Sequence, residues 1–325
     1  MALDVVPFTD RFADRAAALL AAGHALAGEG VPAVDLADPG VARAGLDGWA
    51  TAGPAVVALD DGVPVGFMAA TVARVPGSPL GRVRMQHHAS APDGVRATYR
   101  HLYRVLSRNL VDIGCFEHTV VVAARHRDTV AALVELGFGL DQIKGFRPLT
   151  PPHRTGRRVR PRRARAGDLP DLVQLTLELQ RFHAGGPMLR PALIDLHAIE
   201  ADLRAALADD RRLVLVAEAD GRPAGMMVAD PDSRFTGAAT IGIAVVTAAA
   251  RARGVGGALL SGVVDWAAAH GYRTCGAEWT SANTVSDAFW RGHGFTPARY
   301  TLTRRIDPHI AWAGPHLDYR HRLPR

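Results

Sequence analysis

Apolar residues recur along this chain at two different spacings. Between 255 and 267, Val255, Leu259, Val263 and Ala267 fall four apart, with Leu260 and Val264 beside them. That spacing predicts the buried face of an amphipathic helix, and Gly271 is placed to end it. Helical patterning also opens the chain near 10–26. It returns near 169–182, and a second helix follows near 191–208. Shorter apolar runs predict strands. Residues 55–60 and 63–73 read as one hairpin, and 213–219 with 223–229 as another, each closed by polar residues and glycine. The small, β-branched run 238–246 suits a buried strand. Residues 272–278 and 297–306 supply two more.

The turn between strand 238–246 and the helix carries the first chemical signal, Arg251-Ala252-Arg253-Gly254-Val255-Gly256-Gly257-Ala258. Unpaired N–H groups at a helix start form an anion site, and glycines let the backbone approach a phosphate. A P-loop would end in Gly-Lys-Ser/Thr, whereas this loop runs into Gly257-Ala258. A dinucleotide fold needs a third glycine that is missing here, although Glu278 lies near the distance of its acidic residue. The spacing R-x-x-G-x-G before a helix resembles the pyrophosphate loop of the GNAT superfamily of acyltransferases. A second motif follows at a fitting separation, in 283–295. Asn283, Gly294 and Phe295 match N-x-x-A-x-x-x-Y-x-x-x-G-F; Ser286 replaces its Ala and Trp290 its Tyr.

The resemblance covers about 160–306 and implies acetyl-CoA, or another acyl-CoA, as co-substrate. It assigns donor contacts to Ala244, Val245 and Val246 on the strand and to Arg251, Ala252, Arg253, Gly254, Val255, Gly256, Gly257 and Ala258 in the loop. Asn283, Ser286 and Trp290 complete the set. Backbone N–H groups at Val245 or Val246 would stabilise the oxyanion. Glu278 is the candidate base, a role that needs a carboxylate or imidazole tuned by its surroundings. Glu218 reads as structural, Asp230 and Asp232 as turn residues, and His183 as a loop histidine where many relatives admit the acceptor. The family's Tyr protonates the departing thiolate. Trp290 offers no such proton, only an indole N–H, which leaves water, Tyr300 or Tyr272 for the role. Trp290 and Tyr300 also read as packing residues.

The chain repeats itself. Gly137-Phe138 and Gly114 recur 157 residues on as Gly294-Phe295 and Gly271, and the hairpin at 60–68 recurs 159 on. Near-constant offsets indicate two copies of one fold. The expected class is α/β (α+β): two tandem GNAT-like domains, each with a mixed, mostly antiparallel sheet flanked by helices. The architecture is similar to that of the two-domain acetyltransferases that include mycothiol synthase. The divisions are a degenerate domain at 1–150, a Pro/Arg-rich linker at 151–160, a donor-binding domain at 161–308 and a tail at 309–325. At an offset of 157 the glycine loop falls on Gly94, Ala97, Tyr99 and Arg100, so the first copy lacks it.

Composition narrows the classes. Of 325 residues, 48% are hydrophobic and 22% charged, as in globular proteins. No apolar run reaches the ~18 residues of a membrane span, and the N-terminus lacks signal-peptide character. Two cysteines, Cys115 and Cys275, exclude a disulfide framework and a Cys-rich zinc site. No metal is assigned, and a cytoplasmic location is expected. Net charge is +6, but Lys144 is the sole lysine among 38 basic residues. Arginine richness alongside Ala, Gly and Pro reflects coding bias more than nucleic-acid binding. The expected activity is N-acetyltransfer to a small-molecule amine through a direct ternary complex. A homodimer stays open; nucleic acid and membrane are not expected partners. The rival readings are a non-catalytic coenzyme A-binding scaffold and a nucleic-acid-associated protein.

Overall fold

The computed structural model describes residues 3–25, 35–49, 53–74, 79–149, 159–190, 194–219 and 221–313. These divide into two compact units. One holds the described residues of Met1–Gly28, Val34–Ile143 and Ala298–Arg325; the other holds those of Lys144–Pro297. Most of the expected linker and tail lies outside the described residues.

In the first unit β1 (Asp4–Pro7), β2 (Ala55–Asp60) and β3 (Val63–Ala69) pair antiparallel. Asp61 and Gly62 both take positive φ at the β2–β3 turn, the geometry that a two-residue hairpin demands. β4 (Thr71–Arg74) pairs with β5 (Pro79–Val83), β6 (His88–Ser90) pairs with β3, and β7 (Glu117–Ala123) runs parallel to β5. α1 (Ala13–His24), α2 (Pro39–Ala44), α3 (Val95–Asp112) and α4 (Arg127–Glu135) complete it, followed by β8 (Gly139–Pro148). One core cluster joins Leu20, Trp49 and Phe67; another joins Tyr99, Leu102 and Leu106 to Val120 and Val122.

In the second unit β9 (Arg162–Arg163), β10 (Leu213–Ala219), β11 (Arg222–Pro231) and β12 (Ala238–Val246) pair antiparallel in that order. β13 (Thr274–Thr280) runs parallel to the first half of β12. α5 (Leu169–Ala184) and α6 (Leu196–Ala208) lead into the sheet, α7 (Val255–Ala269) links β12 to β13, and α8 (Thr284–Gly292) follows. The sheets are therefore mixed and mostly antiparallel, flanked by helices, as the class predicts.

The last strand, β14 (Thr296–Arg305), departs from the linear division. From Arg299 to Arg305 it pairs antiparallel with β7 of the first copy, and Leu302 is buried in that unit's core. Reciprocally, β8 contributes residues 144–148 to the second unit. There Phe146 packs on Phe235 at 4.8 Å, and the following Leu149 N–H donates to the Arg273 carbonyl. Lys144 is buried against Asp232 at 3.1 Å and donates to the Thr240 hydroxyl. Each copy thus lends the end of its last strand to the other unit. Tyr300, considered above as an acid, is a packing residue of the first unit. Asp232 holds its expected turn by accepting from the Arg234 and Phe235 N–H groups, and Asp230 pairs with Arg212. Glu218 is structural, paired with Arg162 at 2.6 Å.

The two copies are also in a different register from the one expected at the helix start. α3 and α7 each follow a left-handed glycine, Gly94 (φ 68°) and Gly254 (φ 82°), 160 positions apart rather than 157. The offset returns to 157 at Gly114 and Gly271, both at positive φ. The difference is helix length: α3 has 18 residues and α7 has 15. Gly94 therefore corresponds to Gly254, and Arg96 to Gly256.

Candidate functional site

A cleft of about 540 Å³ opens at the N-terminus of α7. Its walls hold Ala244, Val245 and Val246 from β12, the whole run from Arg251 to Ala258, and Asn283, Ser286 and Trp290. The structure thus brings all the expected donor residues to one place.

The loop chemistry follows from helix geometry. The first intrahelical bond runs from the Ala258 N–H to the Gly254 carbonyl at 3.0 Å. The N–H groups of Val255, Gly256 and Gly257 precede it and have no place in the helical ladder. No side chain caps the helix. Space around the glycines is asymmetric. A Cβ on Gly254 would meet nothing within 4 Å, whereas one on Gly256 would lie 3.0 Å from the Phe289 ring. Gly256 is therefore a close-approach position, and Gly254 supplies the left-handed turn. Arg251 lies with its guanidinium 4.4 Å from the Phe182 ring centroid and donates from Nε to the Val246 carbonyl at 3.3 Å.

The strand edge is read from the pairing register. The Thr247 N–H donates to the Ala224 carbonyl, so 224 and 247 form a hydrogen-bonded pair. Alternation along an antiparallel ladder makes Met226 and Val245 the next such pair. Val245 accordingly spends its backbone groups on β11. Ala244 and Val246 turn theirs to the other side, where pairing with β13 has ended after Ile241. The open donors are at Ala244 and Val246, and the expected role of the Val245 N–H is withdrawn for this reason.

Glu278 does not reach the cleft. It is exposed on β13 and absent from the cleft lining, while its neighbours Ala277 and Trp279 are buried together on the opposite face. His183 is half-buried, and burial followed by the charge of Arg190 lowers its pKa; it does not line the cleft. Trp290 is 4% exposed, packed edge-on against Phe289 and Phe295 at 4.9 Å each. Its packing role is clear, and it carries no acidic hydroxyl. Tyr272 stacks near Trp266 and does not line the cleft. Asn283 caps α8 by accepting the Ser286 N–H at 3.0 Å.

Two polar residues of the cleft, Glu178 and His293, were not singled out from the sequence. Glu178 accepts the Ala248 N–H at 3.1 Å and fixes the short turn before the loop. His293 closes the opposite wall. Neither belongs to a spaced motif, so only the fold reveals them.

The first copy differs where the second is open. His88 pairs with Met68 of β3 as Ala244 pairs with Met227 of β11, and Met68 and Met227 are equivalent in the hairpin repeat. The His88 Nδ1 lies 2.6 Å from the Tyr99 hydroxyl and its Nε2 2.8 Å from the Val121 carbonyl on β7. A side chain thus ties β6 to β7 beyond the end of β5–β7 pairing. Arg96, at the position of Gly256, is drawn to Asp128 and Glu135 on α4.

Residues 182–295 match the acetyltransferase (GNAT) family model. This segment is a GNAT domain. Solved structures share the fold over nearly the whole chain. A GCN5-related N-acetyltransferase from Sphaerobacter thermophilus is 15% identical, with 94% of this chain and 96% of that one covered and a TM-score of 0.60. An acetyltransferase of the GNAT family from Colwellia psychrerythraea is 12% identical, covering 94% and 100%, at 0.52. A tandem GNAT protein from the clavulanic acid biosynthesis pathway is 18% identical, covering 94% and 99%, at 0.50. No curated protein matches the sequence. Among the described residues, no helix is long and apolar enough to cross a membrane, and no cluster of His, Cys, Asp and Glu fits a metal ion.

Proposed function

We propose that the second unit binds an acyl-CoA, with acetyl-CoA as the expected donor, and transfers the acyl group to the amine of a small molecule in a direct ternary complex. The observation that carries this reading is a single cleft that joins an uncapped, glycine-lined helix start to an open strand edge. Such a helix start suits phosphate oxygens, and open backbone donors suit an extended arm bearing amide groups.

The residues fit the group by shape as well as by charge. Gly254 keeps the loop turned without a side chain, and the Gly256 position leaves little room for one beside Phe289. An acyl thioester would supply an activated carbonyl carbon to the amine. The Ala244 and Val246 N–H groups, aimed away from β11, are placed to donate to that carbonyl oxygen. Asn283 secures the start of α8, so that Ser286 and Trp290 hold their places on the wall. Glu178 is the carboxylate on the cleft wall. Comparison of Glu178→Gln with Glu278→Gln identifies the base by the larger loss of kcat. In this reading the first copy binds no donor, because His88 and Arg96 occupy the equivalent places.

The test is calorimetric titration of acetyl-CoA into the wild type and into a folded Gly254→Glu, Gly256→Glu variant, followed by a screen of small amines. One site per chain, lost in the variant, together with turnover of an amine, is the expected result. Binding without turnover of any amine would favour the scaffold reading, and absence of binding would overturn the proposal.

A further inference from the structure

His293 sits at the C-terminal end of α8, with its ring against Phe289 at 4.3 Å and its side chain on the cleft wall. Nδ1 lies 2.7 Å from the Phe289 carbonyl oxygen. A carbonyl can only accept, so Nδ1 must carry the proton. In the neutral ring this leaves Nε2 as a lone pair, and in the imidazolium it leaves Nε2–H as a donor. Nε2 lies 3.6 Å from the Cβ position of Gly257, beside the unpaired N–H groups of the loop. No other side chain or backbone group among the described residues engages it.

A lone pair facing a phosphate oxygen is repulsive, whereas an imidazolium N–H donates to it. We infer that His293 is a proton-gated contact for a phosphate of the donor: it takes up a proton as the donor binds and donates from Nε2 to a phosphate oxygen at the α7 loop. The inference rests on the acyl-CoA reading of the cleft. The charged groups around the ring come from the loop, from β8 and from its own helix. Arg251 and Arg253 share the cleft from the loop, Arg147 donates from Nη1 to the His293 carbonyl at 3.0 Å, and Arg291 on the same helix is paired with Asp287. Glu178, the nearest acid on the cleft wall, is on α5 and is held by the Ala248 N–H. A bound phosphate favours the cationic form of an imidazole beside it.

Two donor phosphates share this chemistry, the bridging pyrophosphate and the ribose 3′-phosphate. Titrations of coenzyme A and dephospho-coenzyme A at pH 7.5, in buffers of different ionisation enthalpy, count the protons taken up. Wild type is expected to take up a substantial fraction of one proton more than His293→Leu or His293→Gln. Affinity of the variants is expected to be about tenfold weaker at pH 6.5, and to converge with wild type above pH 8.5. Uptake retained with dephospho-coenzyme A assigns the pyrophosphate; uptake lost assigns the 3′-phosphate. Equal uptake and affinity in wild type and both folded variants would overturn the inference while leaving the acyl-CoA reading intact. Failure of wild type to bind either ligand would overturn both.

Discussion

Gly254 holds a backbone conformation that costs an ordinary residue roughly 1–2 kcal/mol, yet it has open space around it. Gly254→Ala is therefore expected to lower stability by about that amount, read from urea denaturation. Donor affinity should fall little if the loop keeps its turn. Gly256→Ala reverses the balance. Its Cβ would press on Phe289, so donor affinity should fall more than stability, and Phe289→Leu in the same chain should recover part of it. Calorimetry on the double-mutant cycle decides this. Trp290→Tyr restores a hydroxyl at the cost of ring volume in a packed aromatic cluster. A loss of about 1–2 kcal/mol is expected, together with a higher kcat at neutral pH. An unchanged kcat would show that protonation of the leaving group does not limit turnover.

At the scale of elements, the first unit carries its histidines inside. Burial lowers the pKa of His87, His88 and His118 to about 4 and, with the charges of His126 and Arg125, that of His24 to about 3. In the unfolded chain these groups titrate near 6.5. Between about pH 6.5 and pH 4 the unfolded state binds more protons than the folded state, so stability falls as pH falls. The urea midpoint should be flat above pH 7.5 and drop steadily from 6.5 to 4; a midpoint independent of pH over that range would contradict the buried, neutral histidines. The elements themselves were largely legible. Both hairpins and the β12–α7–β13 run follow from local periodicity and turn residues. His88 was not legible, because a single histidine in an apolar strand carries no spacing. The extra turn of α3 was equally hidden, since adding residues inside a helix leaves its periodicity unbroken. The face taken by Glu278 was not legible, because a charged residue in an apolar strand looks the same from either face until pairing fixes the parity.

At the scale of the whole molecule, the exchange of last strands lay beyond the sequence. β8 and β14 have similar patterns, and which partner each chooses is decided by contacts far apart in the chain. Lys144 marks the exchange. Lys144→Met would leave Asp232 as an unpaired buried carboxylate, at a cost of roughly 3–5 kcal/mol; pairing it with Asp232→Leu should return much of that, measured by denaturation of both variants. A chain ending at 297 should lose the first unit, although every residue removed lies beyond the first copy, because β7 loses its partner along Arg299–Arg305. Retention of a cooperative unfolding transition for both units in that truncated chain would refute this dependence.

The same exchange orders events in time. The first unit is nearly complete once residue 143 has been synthesised, but its closing strand comes only with residue 305. At about 5–20 residues per second, the edge of β7 waits roughly 8–30 s for its partner. During that interval it is an unpaired template for other chains. The exchange also binds the two copies to each other. Deletion of either copy would remove a strand segment from the unit that remains, so neither copy can be cut away without cost to the other.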